Sequence, residues 1–288
     1  MLKRITDHIL YLPSDPETDR PVLAAISGTR KTLIVDAGNS PRHARLFLDA
    51  LSGYRIPPPA FVALTHWHWD HVFGLTEMNL PVLAQVGTAK MIEEMADFDW
   101  SDEALDQRVA EGTEIPFCAE MIKKEFPGGR RTEIRLAKPD ILFKDWLLID
   151  LGGITCILEN IGGDHSKDSS IIFVPEEGTI FLGDCLGPDL YSGKWKYRAD
   201  NLLLLAERLA AYDAKIFVES HAEPAERGSL LKDLEELKTF ARIIKMGLAS
   251  RRDMVKALEA ALGRKLGRED FETRSEEHTS ELQSRQVI

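Results

Sequence analysis

The stretch Thr65-His66-Trp67-His68-Trp69-Asp70-His71 places four potential metal ligands within six positions. In an extended segment side chains two residues apart point the same way, so the imidazoles of His66 and His68 can converge on one cation at roughly 2.0–2.1 Å. Asp70 and His71 follow at once and, as a turn, can face a second ion; ions in two-metal sites sit about 3.5–4 Å apart. Three further candidates each lie just after an expected strand. His165 sits in the glycine-rich Gly162-Gly163-Asp164-His165-Ser166, Asp184 follows Phe181-Leu182-Gly183, and His221 follows Phe217-Val218-Glu219-Ser220. Together these are five histidines and two aspartates, enough for two ions with positions left for water. His8 and His43 stand alone and are read as ordinary surface or core residues.

The elements that must carry these residues are legible in the apolar pattern. Ile5 to Leu12, Val22 to Ser27 and Thr32 to Asp36 alternate or run apolar between Pro, Asp and Gly turns, which predicts short strands. Ser40-Pro41 opens an amphipathic helix to Leu51, with Pro at a helix-compatible first position. Phe61 to Leu64 is a short buried strand that delivers the chain into the histidine cluster. A polar, mostly helical stretch from Thr88 to Arg131 reads as an insertion. Strands return at Leu147 to Leu151, Ile154 to Glu159, Ile171 to Val174, Thr179 to Gly183 and Lys215 to Glu219. Helices are expected around Asn201 to Tyr212, from Leu230 to Ile244 and from Met254 to Leu262. Two strand-rich halves, each with a helix, predict an α+β fold of sheets packed face to face with helices outside.

Composition narrows the partners. The 288 residues hold 47 Asp and Glu against 36 Lys and Arg, a net charge of −11, with 44% hydrophobic residues. With a mean hydropathy of −0.19 this describes a soluble globular protein. Excess negative charge repels a phosphate backbone, so the reading is no nucleic-acid partner and a small or neutral substrate. No apolar run approaches the roughly 20 residues needed to span a bilayer, and no membrane partner is expected. The N-terminus enters a strand pattern without a secretory signal, and Cys118, Cys156 and Cys185 have no paired spacing, which together predict a cytoplasmic protein with reduced thiols. After Phe271 the apolar periodicity stops. Arg274 to Ser284 resembles the translation of a sequencing-adapter oligonucleotide, so 274–288 are read as a non-native tail, His278 as no ligand, and the natural chain as continuing past about residue 273. One domain is expected over 1–273, with a helical insertion at about 88–131 and C-terminal helices at about 228–265.

Thr65-His66-x-His68-x-Asp70-His71, then His165, Gly183-Asp184 and His221 in that order, resemble the metal motifs of the metallo-β-lactamase-fold hydrolases, over about residues 5 to 225. Ile34-Val35-Asp36-Ala37-Gly38 resembles a recurrent strand-turn of that family. The resemblance implies a four-layer αββα sandwich with the site at the strand ends. It also implies that His66, His68 and His165 bind a first zinc, that Asp70, His71 and His221 bind a second, and that Asp184 bridges them, with iron or manganese as other metals such a site takes. Zinc lowers the pKa of a bound water from 15.7 towards about 7, so a hydroxide is available at neutral pH and no Ser or Cys nucleophile is required. Asp70 is then the expected orienter and proton carrier as well as a ligand. Cys185 beside Asp184 is read as a buried strand-end thiol.

Fold does not choose a substrate. Leu190 to Arg198 interleaves aromatic and basic residues just after Asp184, and makes Tyr191, Lys194 and Trp195 the candidates for gripping an anionic or aryl group. Trp67 and Trp69 are expected to wall the site or pack beneath it, and Lys123, Lys124, Arg130 and Arg131 to form a solvated face of the insertion. Asp164-His165-Ser166-Lys167-Asp168-Ser169 lacks the Thr-Pro-Gly turn of many esterases of the family, and Glu219-Ser220-His221 lacks a preceding Gly. Those departures keep the ligands but weaken assignment to the glutathione-thioesterase branch. The expected function is a binuclear zinc-dependent hydrolase of a small-molecule ester, thioester or lactone. A mononuclear-iron sulfur dioxygenase, a phosphodiesterase of the same fold and a non-catalytic ligand-binding member are the alternatives.

Overall fold

The computed structural model describes residues 1–128, 131, 134–192, 196–248 and 250–266; the expected tail at 274–288 lies outside them. The chain divides into two units. The first comprises Met1–Gly162, Ser166–Cys185 and Asp213–Ala225, and the second Gly163–His165, Leu186–Tyr212 and the chain from Glu226 onward.

In the first unit β1 (Lys3–Thr6), β2 (Ile9–Leu12), β3 (Leu23–Ser27), β4 (Thr32–Val35), β5 (Pro59–Ala63), β6 (Val82–Gln85) and β7 (Ile141–Phe143) lie in chain order in one sheet. Pairing is antiparallel from β1 to β4 and parallel from β4 to β7. Parallel neighbours need crossovers, and these are helical: α1 (Pro41–Leu51), α2 (Trp69–Val72) with α3 (Leu75–Met78), and α4 (Val86–Met95), α5 (Asp102–Glu111) and α6 (Pro116–Glu125). A second sheet holds β8 (Trp146–Asp150), β9 (Thr155–Asn160), β10 (Ser170–Val174), β11 (Thr179–Gly183) and β12 (Ile216–Glu219), with the two-residue β13 (Ala225–Glu226) at its margin. β8, β9, β10 and β11 pair antiparallel in turn, and β11 pairs β12 parallel.

The two sheets share one core. Ile26, Leu33, Val35, Ala63 and Leu83 from the first pack with Leu158, Ile172, Val174, Phe181 and Val218 from the second. Burying a large aliphatic side chain contributes roughly 1.5–3 kcal/mol, so this interface fixes how the strand ends of both sheets stand to one another. β4 is buried at all four positions, as a parallel strand covered on both faces must be. In the second unit α7 (Ala199–Ala211), α8 (Arg227–Lys245) and α9 (Arg251–Leu262) are the helices, and Phe240 and Ile243 of α8 pack with Met254 and Leu258 of α9.

The mixed α+β class with two packed sheets and helices agrees with the sequence expectation; three local readings differ. Ile5 to Leu12 is not one strand but β1 and β2, because the chain turns at Asp7-His8, where the Arg4 guanidinium donates to the Asp7 carbonyl at 2.8 Å. β7 at Ile141–Phe143 was not expected; the chain leaves it at Lys144-Asp145 for the second sheet, where β8 falls on the expected strand at Leu147 to Leu151. β6 has only four residues and was not expected.

The helices after β6 are anchored by Glu125 at the end of α6. Its carboxylate accepts from Arg20 at 2.9 and 3.1 Å, from the Thr18 hydroxyl at 2.5 Å and from the Ser40 hydroxyl at 2.6 Å, and Ser40 is also the N-cap of α1. Burial pushes the Glu125 carboxyl up, but the donors from Arg20, Ser40 and Thr18 outweigh it and hold it below the ordinary glutamate range. A depressed folded-state pKa contributes stability that is present above the unfolded value of about 4.3 and lost as pH falls through the folded value. Glu125→Gln is therefore expected to lower unfolding stability at neutral pH by about 3 kcal/mol, as breaking a buried pair does. In denaturant titrations that difference shrinks below about pH 4.3; a variant as stable as the parent at pH 7 would contradict this account.

Candidate metal centre

The candidate residues of the first unit stand at the carboxyl ends of strands from both sheets, where open sheets with parallel strands hold their ligands. β4 ends at Val35 and delivers Asp36, β5 leads through Leu64 into Thr65 to His71, β11 ends at Gly183 and delivers Asp184, and β12 leads through Ser220 to His221. The strand ends are cross-tied: Ser220 N–H donates to the Gly183 carbonyl at 3.2 Å and Ala37 N–H to the His71 carbonyl at 2.9 Å. Two glycines permit the close approaches. A Cβ on Gly74 would lie 2.0 Å from the Ala37 carbonyl oxygen, and Gly183, at φ +58, would press one against Thr65 Cβ at 2.8 Å.

Asp70, His71, Asp184 and His221 each offer a ligand atom, and these atoms all lie within 4.8 Å of one another. His71 Nε2 is 3.0 Å from Asp70 Oδ2 and 3.4 Å from Asp184 Oδ2. His221 Nε2 is 3.2 and 3.4 Å from the same two oxygens. Asp184 Oδ2 is also 3.9 Å from His66 Nε2, so this carboxylate faces His66 as well as His71 and His221. The rings of His66 and His68 stand 4.5 Å apart, edge to face, and both are buried. Asp70 and His71 belong to the single turn α2 rather than to an open turn, and Trp69 of that helix packs beneath against Phe73 at 5.8 Å. Trp67 is half-buried and donates its indole N–H to the Ser166 hydroxyl at 3.0 Å.

Asp36 organises the cluster from below. Its Oδ1 accepts the Thr65 backbone N–H at 2.7 Å, its Oδ2 the Thr65 hydroxyl at 2.9 Å, and Oδ2 lies 2.9 Å from His71 Nδ1. Taking the Nδ1 proton of His71 leaves Nε2 of that ring as a lone pair directed at Asp70 and Asp184. The Thr65 hydroxyl, committed as donor to Asp36, can only accept from His66 Nδ1 at 3.1 Å, which fixes the same tautomer in His66. The sequence carried Asp36 only as part of a strand-turn resemblance. Its one local mark is a left-handed backbone at φ +59, a conformation that Asp and Asn tolerate better than most residues.

The electrostatics call for positive charge at the middle of the group. Burial pushes the Asp70 and Asp184 carboxyls up, but the adjacent His71 and His221 outweigh it and hold both well below the carboxylate range. Burial pushes His71 and His221 down, yet the facing aspartates hold both imidazoles well above the usual range. Asp70 Oδ2 and His71 Nε2 are buried and face each other without making a hydrogen bond. Ionised carboxylates and Nε2 lone pairs directed at one point are the donors a divalent cation takes, and this donor set fits one. Asp19, unmarked in the sequence, also faces the group: its Oδ1 lies 3.4 Å from His221 Nδ1, and burial, then Asp70, push its carboxyl up to about 7.

His165 is buried on Gly163–His165 of the second unit. Beside it Asp164 accepts the Arg198 N–H and the Asn201 amide, each at 2.6 Å, and so caps α7, whose own N-cap residue Arg198 supplies no side-chain cap. Tyr191 is half-buried and donates its N–H to Asp189 Oδ1 at 3.2 Å; Lys194 and Trp195 lie outside the described residues. Cys185 is buried and offers no ligand atom to the group. His43 is buried in α1, and His8 pairs with Glu177.

Comparison with known proteins adds the family. The model of the metallo-beta-lactamase superfamily matches residues 22–221. Among solved structures, a metallo-beta-lactamase from Pontibacter korlensis superposes with a TM-score of 0.56 at 19% identity, covering 83% of this chain and 98% of that one. A metallo-beta-lactamase family protein from Thermus thermophilus gives 0.60 at 18% identity over 99% of this chain and 96% of its own. The stereoselective inverting sec-alkylsulfatase from Pseudomonas sp. gives 0.63 at 13% identity, covering 92% of this chain and 46% of that one. No curated protein matches. At these identities the likeness is one of fold.

Loss of an outer partner of a ligating histidine typically lowers metal affinity 10–100-fold. Asp36→Asn, which tolerates the left-handed backbone but replaces a charged acceptor by an amide, is expected to weaken zinc binding by about that factor in chelator competition. Unchanged affinity would show that Asp36 does not orient His71.

Proposed function

Because the chain belongs to the metallo-beta-lactamase superfamily, we propose that it is a binuclear zinc-dependent hydrolase of a small-molecule ester, thioester or lactone. The observation that carries this reading is the gathering of Asp70, His71, Asp184 and His221 within 4.8 Å, with Asp184 reaching back towards His66. In this reading His66, His68 and His165 hold one ion, as the resemblance to the family implies, and Asp70, His71 and His221 hold the other. A bound zinc pair supplies a water acidified to about pKa 7 and a Lewis acid for the attacked carbonyl.

The chain's own groups do the rest. Asp184, which faces His66 as well as the His71/His221 pair, ties the two sets of ligands together. Asp36 and Thr65 keep His71 and His66 in the tautomer that presents Nε2. Asp70 meets both histidines through Oδ2, so Oδ1 is the atom that takes the proton of the attacking water and returns it to the leaving oxygen or sulfur. The low pKa of the Asp70 carboxyl keeps it ionised at neutral pH.

The acid-rich group, in a chain of net charge −11, supports an uncharged carbonyl substrate over a phosphodiester. No helix among the described residues is long and apolar enough to cross a membrane. The three cysteines are buried and form no disulfide, which supports the reading of a cytoplasmic enzyme.

Elemental analysis paired with a panel of esters, thioesters, lactones, phosphodiesters and alkyl sulfates tests the proposal. The expected outcome is about two zinc ions per chain, as in a two-metal site, with turnover on a carbonyl substrate. His68→Ala and Asp184→Ala are each expected to lose metal and activity, while Cys185→Ser keeps both. One iron per chain without hydrolysis would replace the hydrolase by an oxygenase, and full metal with no turnover on the panel by a ligand-binding protein.

A further inference from the structure

His71 and His221 are presented to the group in the same way. Each directs Nε2 at Asp70 Oδ2 and Asp184 Oδ2, at 3.0 and 3.4 Å for His71 and at 3.2 and 3.4 Å for His221. Each directs Nδ1 at a further aspartate: Asp36 Oδ2 at 2.9 Å for His71, Asp19 Oδ1 at 3.4 Å for His221. The two rings differ in exposure. The His71 side chain is fully buried and held by packing, whereas that of His221 is 36% exposed and has far less around it to choose its rotamer or tautomer.

Asp19 belongs to neither sheet. It lies in the connection between β2 and β3, at φ +56, and the backbone on both sides of it is tied down. Thr18 gives its carbonyl to the Asn39 amide at 2.7 Å and its hydroxyl to Glu125. Arg20 holds Glu125 through its guanidinium and exchanges both backbone hydrogen bonds with Asp15 at 2.9 Å. Val22 N–H donates to the Ser220 carbonyl at 2.7 Å, which fastens this connection to the residue before His221. So many ties around one residue in a left-handed conformation fix where its carboxylate points, and it points at His221.

We propose that Asp19 is the positioning residue for His221: it takes the Nδ1 proton, so that the ring keeps Nε2 as a lone pair directed at the ion shared with Asp70, His71 and Asp184. This inference rests on the metal reading above. A carboxylate on the outer nitrogen raises the basicity of a ligating imidazole and fixes its orientation, and its removal typically lowers metal affinity 10–100-fold. The effect falls on the ion that His221 holds, since His221 is the histidine that Asp19 faces.

Two variants keep the backbone while changing the side chain, because Asn and Gly both adopt φ near +56 readily. Zinc titration of Asp19→Asn and Asp19→Gly against a chelator is expected to show one ion bound as in the parent and the other weakened about 10–100-fold, with the Gly variant the weaker. Two ions held at parental affinity in both variants overturn the role of Asp19 and leave the metal reading intact. A parent protein that binds no divalent ion overturns the metal reading, and this inference with it. Nitrogen-15 histidine NMR of the zinc-loaded parent decides independently of either variant's folding. A His221 ring protonated at Nδ1 with a downfield, slowly exchanging proton supports the assignment, and a ring protonated at Nε2 overturns it.

Discussion

Two buried carboxylates facing the same two histidines set the terms for the rest of the structure. Asp70 and Asp184 both direct Oδ2 at His71 Nε2 and His221 Nε2, at 3.0 to 3.4 Å. At an effective dielectric constant of 20, two unit charges 4 Å apart interact by about 4 kcal/mol. Like charges held this close are therefore unfavourable by an amount comparable to a large share of a domain's net stability unless positive charge lies among them. The raised affinity of both imidazoles for protons is one answer to that demand. A divalent cation is a stronger one, because it meets the carboxylates and the Nε2 lone pairs together without charging the rings.

Such an arrangement persists only if the backbone that presents it cannot relax. Side-chain flexibility is no use here, since short aspartates reach one point only when their strand ends are already close. The shared core supplies that closeness: Val35 and Ala63 lie at the ends of β4 and β5, Phe181 and Val218 near the ends of β11 and β12, and all four are packed into the same cluster. Thr65 then sits at the seam. It donates to Asp36, accepts from His66 and leaves no room for a side chain on Gly183, so one small residue couples the first sheet's ligands to the turn that delivers Asp184.

Local chemistry was the most legible part of the sequence. His66 and His68 are two apart in extended chain, and Asp184 and His221 each follow an apolar run, so their placement at strand ends could be read from short-range pattern. Asp19 carried no such mark, and Asp36 was marked only as part of a strand-turn that resembles the family's. Each is a lone aspartate in a turn, a common place for that residue, and its importance lies in a histidine distant in sequence that only the packed sheets bring within reach. The same limit explains the missed strands. β6 and β7 have four and three residues, too few for a periodicity to stand out, and they exist because the neighbouring parallel strand offers its backbone. The strand expected at Leu147 to Leu151 is β8, while β7 just before it lies at the edge of the other sheet, a placement invisible to hydropathy.

The unequal exposure of the ligands gives the centre a direction. The side chains of His66 and His71 are fully buried and that of Asp70 is 6% exposed, whereas Asp184 is 14% and His221 36% exposed. A molecule approaching this group from solvent thus meets His221 and Asp184 before the other members, and the connection bearing Asp19 lies at that entrance. The residue that steadies the most exposed ligand is consequently also part of the rim a substrate must pass. A carboxylate there disfavours anionic groups at the point of entry, while an uncharged acyl group meets no such repulsion.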